Sequence, residues 1–160
     1  MNNNPQIVLR QTELDDLEFF FQFQLDKEAI YLAAFTPKDP SDKPAYLTKY
    51  SRLLNEPTVN MRTILFDNKI AGSISKFEME GHAEITYWLD KDSWGKGVGT
   101  TALRNFLTFE KMRPIFGRVA FDNYGSQRVL EKCGFVKIGK DKGFANGRGR
   151  EIEEFIYKLT

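Results

Sequence analysis

Between Leu89 and Leu103 the chain changes period abruptly. A strand runs into the turn Trp94-Gly95-Lys96-Gly97-Val98-Gly99-Thr100, and a helix with Leu103, Phe106 and Leu107 on its inner side leaves it. The first backbone N–H groups of a helix have no intrahelical acceptor and lie at the positive end of its dipole. Glycine lets the main chain come close to a ligand and adopt φ > 0. An isolated Gly-x-Gly is read more simply as a tight strand-to-helix turn. Three alternate glycines with Lys96 between a strand and a helix point instead to a cradle for an anion, above all a phosphate. A Walker loop does not fit, because the Gly-x4-Gly-Lys-Ser/Thr spacing is absent. Gly97-x-Gly99-x-x-Ala102 does fit a dinucleotide fingerprint, and Asp122 follows at about the right distance. Against that alternative, the strands before the turn read as a meander, and the chain after Asp122 is too short for a second mononucleotide-binding half.

The surrounding pattern predicts β-α-α-β-β-β-α-β-α-β-β, an α/β (α+β) fold with a mixed, mostly antiparallel sheet flanked by helices. Ile7 to Arg10 reads as the first strand. Thr12 is the expected N-cap of a helix carrying Leu14, Leu17, Phe21 and Leu25 on one face. Thr36 to Pro44 reads as a loop, and Pro44 as the start of a second helix with Leu47, Tyr50 and Leu54 inward. Val59 to Phe66, Ile70 to Phe77 and Ala83 to Leu89 form the meander. Gly117 to Phe121 is a strand and Ser126 to Cys133 a helix ended by Gly134. Phe135 to Lys142 and Ile152 to Leu159 form a closing pair around the turn Ala145 to Arg150.

Composition narrows the chemistry. The 160 residues predict one domain spanning 1–160. Lys+Arg 23 against Asp+Glu 22 leaves a charge of +1, which does not mark nucleic acid as a partner. No apolar run reaches the roughly 20 residues of a membrane span. Met1 to Gln6 is polar and lacks the apolar region of an export signal. A single cysteine, Cys133, and a single histidine, His82, leave no disulfide framework, cysteine zinc cage or multi-histidine metal site. The expectation is a cytoplasmic protein without metal or disulfide chemistry and with no membrane or nucleic-acid partner.

Two motifs resemble one family. The glycine turn resembles the acyl-CoA loop of the GCN5-related N-acetyltransferases (GNAT), whose pattern is Gln/Arg-x-x-Gly-x-Gly/Ala. Trp94 stands at the Gln/Arg position, a departure shared with the RimJ/RimL-like branch. Asn123-Tyr124-Gly125-Ser126 followed by Val129-Leu130-Glu131-Lys132-Cys133-Gly134-Phe135 resembles that branch's Asn-x-x-Ser…Leu-Glu-Lys-x-Gly-Phe. The resemblance covers nearly the whole chain. It implies acetyl transfer from acetyl-CoA to a primary amine, either a protein or peptide N-terminus or a small molecule, by direct attack in a ternary complex. It also leaves room for a homodimer.

The resemblance assigns the parts. Backbone N–H groups of Gly95, Lys96, Gly97, Val98, Gly99 and Thr100, with Trp94, hold the pyrophosphate. The thioester lies along Ile85 to Leu89, beside Trp88, where that strand splays from its neighbour. The N–H near Leu89 polarises the carbonyl, and an oxyanion donor of this kind is worth about 3–4 kcal/mol. Glu84 is the candidate base, with an exposed strand-end carboxylate as the equal alternative. The wider family's tyrosine, seven residues after the asparagine, is here Leu130, so Ser126 becomes the candidate proton donor to sulfur, unless it only caps its helix. Asn123 bonds the pantetheine or orients the sulfur, unless it only forms the turn. Arg128 and Lys132 either help neutralise phosphates or form a solvated face. The hairpin cations Lys137, Lys140, Lys142, Arg148 and Arg150 read as solvated, with contact to an acidic substrate as the alternative.

The acceptor pocket is expected between the N-terminal helices, the Ala33 to Pro44 loop and the last hairpin, with Tyr31, Phe35 and Tyr87 on its wall. An α-amine titrates near 7.7–8.0 and a lysine near 10.4, so an N-terminal amine needs only a weak base or a water relay. No acidic cluster marks a polyamine. A non-catalytic acyl-CoA-binding module and, less favoured, a dinucleotide-dependent oxidoreductase stay open on these grounds.

Overall fold

A computed structural model describes residues 6–160; the polar N-terminal reading therefore lies outside the described residues up to Pro5. Among the described residues seven strands and five α-helices follow one another as β1 (Ile7–Gln11), α1 (Asp16–Phe23), α2 (Lys27–Ala33), α3 (Lys43–Leu54), β2 (Asn60–Phe66), β3 (Lys69–Met79), β4 (His82–Leu89), α4 (Val98–Phe109), β5 (Ile115–Ala120), α5 (Tyr124–Lys132), β6 (Val136–Ala145) and β7 (Arg150–Leu159). The strands form one sheet in the order β1-β2-β3-β4-β5-β7-β6. Every pair is antiparallel except β4–β5, which α4 joins as a crossover. The predicted meander is β2–β3–β4. Its turns use left-handed residues, Asp67-Asn68 and Glu80-Gly81, as two-residue hairpins require. No described helix is long and apolar enough to cross a membrane.

One helix more is present than the sequence pattern predicts. The apolar run Leu14–Leu25 was expected to form one helix capped by Thr12. Asp16 instead opens α1, and Asp26 interrupts the run by adopting an extended conformation and accepting the N–H of Ala29 at 2.8 Å, which caps α2. Thr12 is buried and its Oγ1 meets that of Thr63 at 3.0 Å, so its oxygen is not spent on a cap. Leu14 lies before the helix and is exposed. Asp16 is the anchor: its carboxylate accepts a bidentate pair from Arg10 (2.6 and 2.8 Å), the Thr63 hydroxyl (2.7 Å) and the Glu13 N–H (2.9 Å). It ties α1 to both β1 and β2.

The core lies between the sheet and the α4–α5 layer. Val98, Ala102, Leu103 and Phe106 of α4 pack on Ile64, Ile74, Ile85 and Ile115, with Leu130 of α5 and Phe135 closing the far side. Leu130, at the family's tyrosine position, is thus core. It rests on Gly117 of β5 so closely that a Cβ there would meet its methyl carbons at 3.0 and 3.2 Å. The α3 stripe Leu47, Tyr50 and Leu54 is only half-buried.

The dinucleotide alternative fails on this architecture. Its fold needs two parallel halves, and a single parallel pair is present. Asp122, the acidic residue of that fingerprint, is bound bidentately by Arg148 at 2.7 and 3.0 Å.

Candidate active site

The glycine turn is shaped by its backbone. After β4, Asp90 accepts the Asp92 N–H and starts the 3-10 turn Lys91–Ser93. Trp94 Nε1 donates to the Leu89 carbonyl at 3.4 Å, closing the loop onto the strand it left. Gly95 and Gly97 take φ of 73° and 77°, a left-handed conformation that glycine accepts without strain. Gly97 is the N-cap of α4 and offers no side chain to it, and the first turn carries no acidic residue. The first intrahelical bond is Thr101 N–H to the Gly97 carbonyl, 3.1 Å. The N–H groups of Val98, Gly99 and Thr100 therefore precede the helix ladder, at its positive end. Arg128 and Lys132 line the same cavity from α5.

A split in the sheet lies beside this turn. The β4–β5 ladder holds for three pairs, Ala83↔Ile115, Glu84↔Phe116 and Ile85↔Gly117, and then ends. From Thr86 to Leu89 the strand continues against β3 alone. A cavity of 910 Å³ opens along this unpaired edge. Its wall includes Trp88, Leu89, Trp94, Gly95, Gly97, Val98, Gly99 and Thr100 at one end and Phe35, Thr36, Tyr50, Arg118 and Glu154 at the other. Lys96 lies outside that wall, with its ammonium 6.0 Å from the Phe66 ring centre. Trp88 also pins α1 to the sheet, donating Nε1 to the Phe23 carbonyl at 3.3 Å.

Ser126 and Asn123 meet the cavity at the start of α5. Asn123 is the N-cap: its Oδ1 accepts the Ser126 N–H at 3.3 Å and its Nδ2 donates to the Leu32 carbonyl at 3.2 Å. Capping is therefore Asn123's task, and the Ser126 hydroxyl is left to another partner. That partner is Tyr87, whose phenol oxygen lies 2.8 Å away. Burial pushes the Tyr87 phenol up to about 12, against a smaller downward pull from Ser126.

Glu84 is buried on the opposite face of β4 and forms an ion pair with Arg118 Nε at 3.3 Å. Desolvation lifts its pKa above the usual carboxylate range, opposed by the Arg118 charge and reinforced by Glu154. Glu84 does not form part of the cavity wall; its partner Arg118 and the neighbouring Glu154 do. Arg118 binds Glu154 at 3.0 Å and Asp141 at 3.5 Å, so three carboxylates surround one guanidinium. His82 is exposed, edge-on to Phe116.

At the acceptor end the three predicted aromatics separate. Phe35 lines the cavity. Tyr31 does not; its ring stacks under the Arg148 guanidinium, 3.9 Å from the centroid. Tyr87 lines the cavity between α4 and α5, beside Gly99 and Val129. Arg148 is the departure among the hairpin cations: its side chain is 1% exposed, paired to Asp122 and donating Nε to the Tyr31 carbonyl. Asn146 and the Gly147 N–H bind the Thr36 and Ala34 carbonyls at 2.8 Å each. The β6–β7 turn is thereby stapled to the segment after α2. Pairing at such sequence separations leaves no local signal, so Arg118 and Glu154 carry no mark in the sequence, and Arg148, expected on a solvated hairpin, is instead an internal tie to Asp122.

Comparisons with known proteins agree with this geometry. The family described as "Acetyltransferase (GNAT) domain" matches residues 6–136. "Putative ribosomal N-acetyltransferase YdaF" of Bacillus subtilis (strain 168) is 33% identical, over 93% of this chain and 89% of its own length. "Uncharacterized N-acetyltransferase p20" of Bacillus licheniformis is 26% identical, over 96% and 92%. The solved structure of the microcin C7 self immunity acetyltransferase MccE, in complex with acetyl-CoA and AMP, superposes with a TM-score of 0.81 at 20% identity, covering 99% of this chain and 94% of that one; it shows a shared fold. With a family match across most of the chain, a split parallel pair and a glycine turn at the head of α4, the protein belongs to the GNAT family and is an acyl-CoA-dependent acetyltransferase.

Proposed function

We propose that residues 1–160 act as one N-acetyltransferase unit that moves the acetyl group of acetyl-CoA to a primary amine by direct attack in a ternary complex. The acceptor is the N-terminal α-amine of a protein or peptide, or a small primary amine. The observation that carries this reading is the continuous cavity, which joins the free N–H groups at the head of α4 to Arg118 and Glu154, the partners behind which Glu84 lies, along the unpaired edge of β4. The similarity to YdaF, a putative ribosomal N-acetyltransferase, supports an amine acceptor on a protein.

In this scheme the amides of Gly95 to Thr100 grip the pyrophosphate, with Arg128 and Lys132 adding positive charge. The thioester lies along Thr86–Leu89 against Trp88, and the N–H near Leu89 polarises its carbonyl. Glu84, raised by burial, takes the amine proton through water that reaches it past Arg118. Asn123 holds the start of α5 so that Ser126 faces the departing sulfur. An α-amine is substantially neutral near pH 8, so this relayed base suffices for it, whereas lysine would need a committed carboxylate.

A panel tests the reading. The acceptors are hexapeptides with free Ala, Ser, Thr or Met termini, the same peptides N-terminally blocked and carrying one lysine, and small amines including spermidine. Thiol release from acetyl-CoA is read with a disulfide dye. Free N-termini or small amines should be turned over and blocked peptides should not. Binding of acetyl-CoA without acceptor-dependent thiol release anywhere in the panel would favour a non-catalytic binding module.

A further inference from the structure

The reading of Ser126 as donor to the leaving sulfur needs a second proton. An aliphatic hydroxyl is a much weaker acid than the thiol it would create, so a lone serine cannot finish the step as an alkoxide. The wider family's tyrosine is not available from α5, because Leu130 occupies that position and is core. Tyr87 brings a phenol to the same place from β4, across the split in the sheet. Its oxygen lies 2.8 Å from Ser126 Oγ, and its ring rests beside Gly99 of α4 and Val129 of α5. Both residues line the cavity. Asn123 already caps α5, so the serine oxygen is not committed to the helix.

We propose that Tyr87 and Ser126 form a two-hydroxyl proton relay to the departing thiolate, Ser126 touching sulfur and Tyr87 acting through it as the positioning residue and proton source. This rests on the reading of Ser126 as the donor. As the carbon–sulfur bond breaks, sulfur keeps the electron pair and takes the Ser126 proton, while the Tyr87 proton passes to Ser126 Oγ. Glu84, which has taken the proton of the acceptor nitrogen, returns it through water to Tyr87 as this happens, so the products are a neutral thiol, a neutral serine and a neutral tyrosine, and one proton moves overall from nitrogen to sulfur. Burial keeps the phenol protonated at neutral pH.

The test is a double-mutant cycle with Tyr87→Phe and Ser126→Ala. Rates are measured with two nucleophiles: the fastest acceptor of the panel, and water in the slow hydrolysis of acetyl-CoA without acceptor, which must also expel the thiolate. Thermal midpoints confirm folding, and acetyl-CoA affinity is titrated directly. Each single variant should lower kcat by roughly 10- to 100-fold with KM for acetyl-CoA little changed. The double variant should be no slower than the worse single. Rates in mixed light and heavy water should bow downward for the wild type, as two moving protons require, and become linear in Tyr87→Phe. Unchanged kcat in Tyr87→Phe, or losses that multiply in the double variant, overturns the relay. Unchanged kcat in Ser126→Ala with a slow Tyr87→Phe overturns the serine reading itself, and the route through it.

Discussion

Asp16 carries more of the fold than its place at a helix start implies. Burial pushes its carboxyl upward, but hydrogen bonds from Arg10, the Glu13 N–H and Thr63 outweigh that and hold it below the usual range. Its folded pKa is therefore lower than its unfolded one. The stabilisation is present above the unfolded value, near 3.9, and is lost as pH falls through the folded value. Replacing Asp16 with Ala leaves Arg10 and Thr63 without their partner. Because Arg10 is one-third exposed, the expected cost is about 2–3 kcal/mol rather than the full penalty of a buried pair. Urea unfolding at pH 7 and pH 3 checks both points: the gap between wild type and variant should shrink at the lower pH. Glu84 gives the opposite case. Its pKa is raised, so the ionised base is lost as pH falls through a value above the ordinary carboxylate range. Glu84→Gln should lower kcat roughly 10²-fold and erase that acid limb. A full rate in the variant assigns the proton transfer elsewhere.

Two elements carry separable tasks. In the glycine turn a Cβ at Gly97 would meet nothing within 4 Å, so only the left-handed backbone resists substitution. Gly97→Ala should cost about 1–2 kcal/mol in that conformation. Part of it should appear as acetyl-CoA affinity, with Kd rising on the order of tenfold by calorimetry while the thermal midpoint falls only a few degrees. The β6–β7 turn behaves differently. A Cβ on Gly147 would run into the carbonyls of Ile30 and Ala34, and Arg148, whose side chain is 1% exposed, holds Asp122 beside the cap of α5. Arg148→Ala should lower the thermal midpoint by roughly 5–10 °C, since a stranded Asp122 costs about 2–3 kcal/mol. Hydrogen exchange should rise in both the Tyr31–Thr36 segment and the turn. Protection unchanged in Tyr31–Thr36 would show that the staple does not hold it.

At the scale of the whole molecule, ligand binding and folding are one equilibrium. Acetyl-CoA at 100 times its Kd should add about 2.7 kcal/mol to stability, a midpoint rise of roughly 5–10 °C, and NAD should add nothing. Much of the molecule was legible beforehand for a local reason. Three short apolar runs marked the strands of the meander, and three alternate glycines marked the head of α4. These signals lie within a few residues of one another, where steric preference and hydrogen bonding act directly. The end of the β4–β5 ladder after Ile85, the burial of Arg148, and the meeting of Tyr87 with Ser126 obey no such local rule. Each depends on groups far apart along the chain. Only packing decides which of several chemically equivalent tyrosines, arginines or glutamates arrives at the cavity.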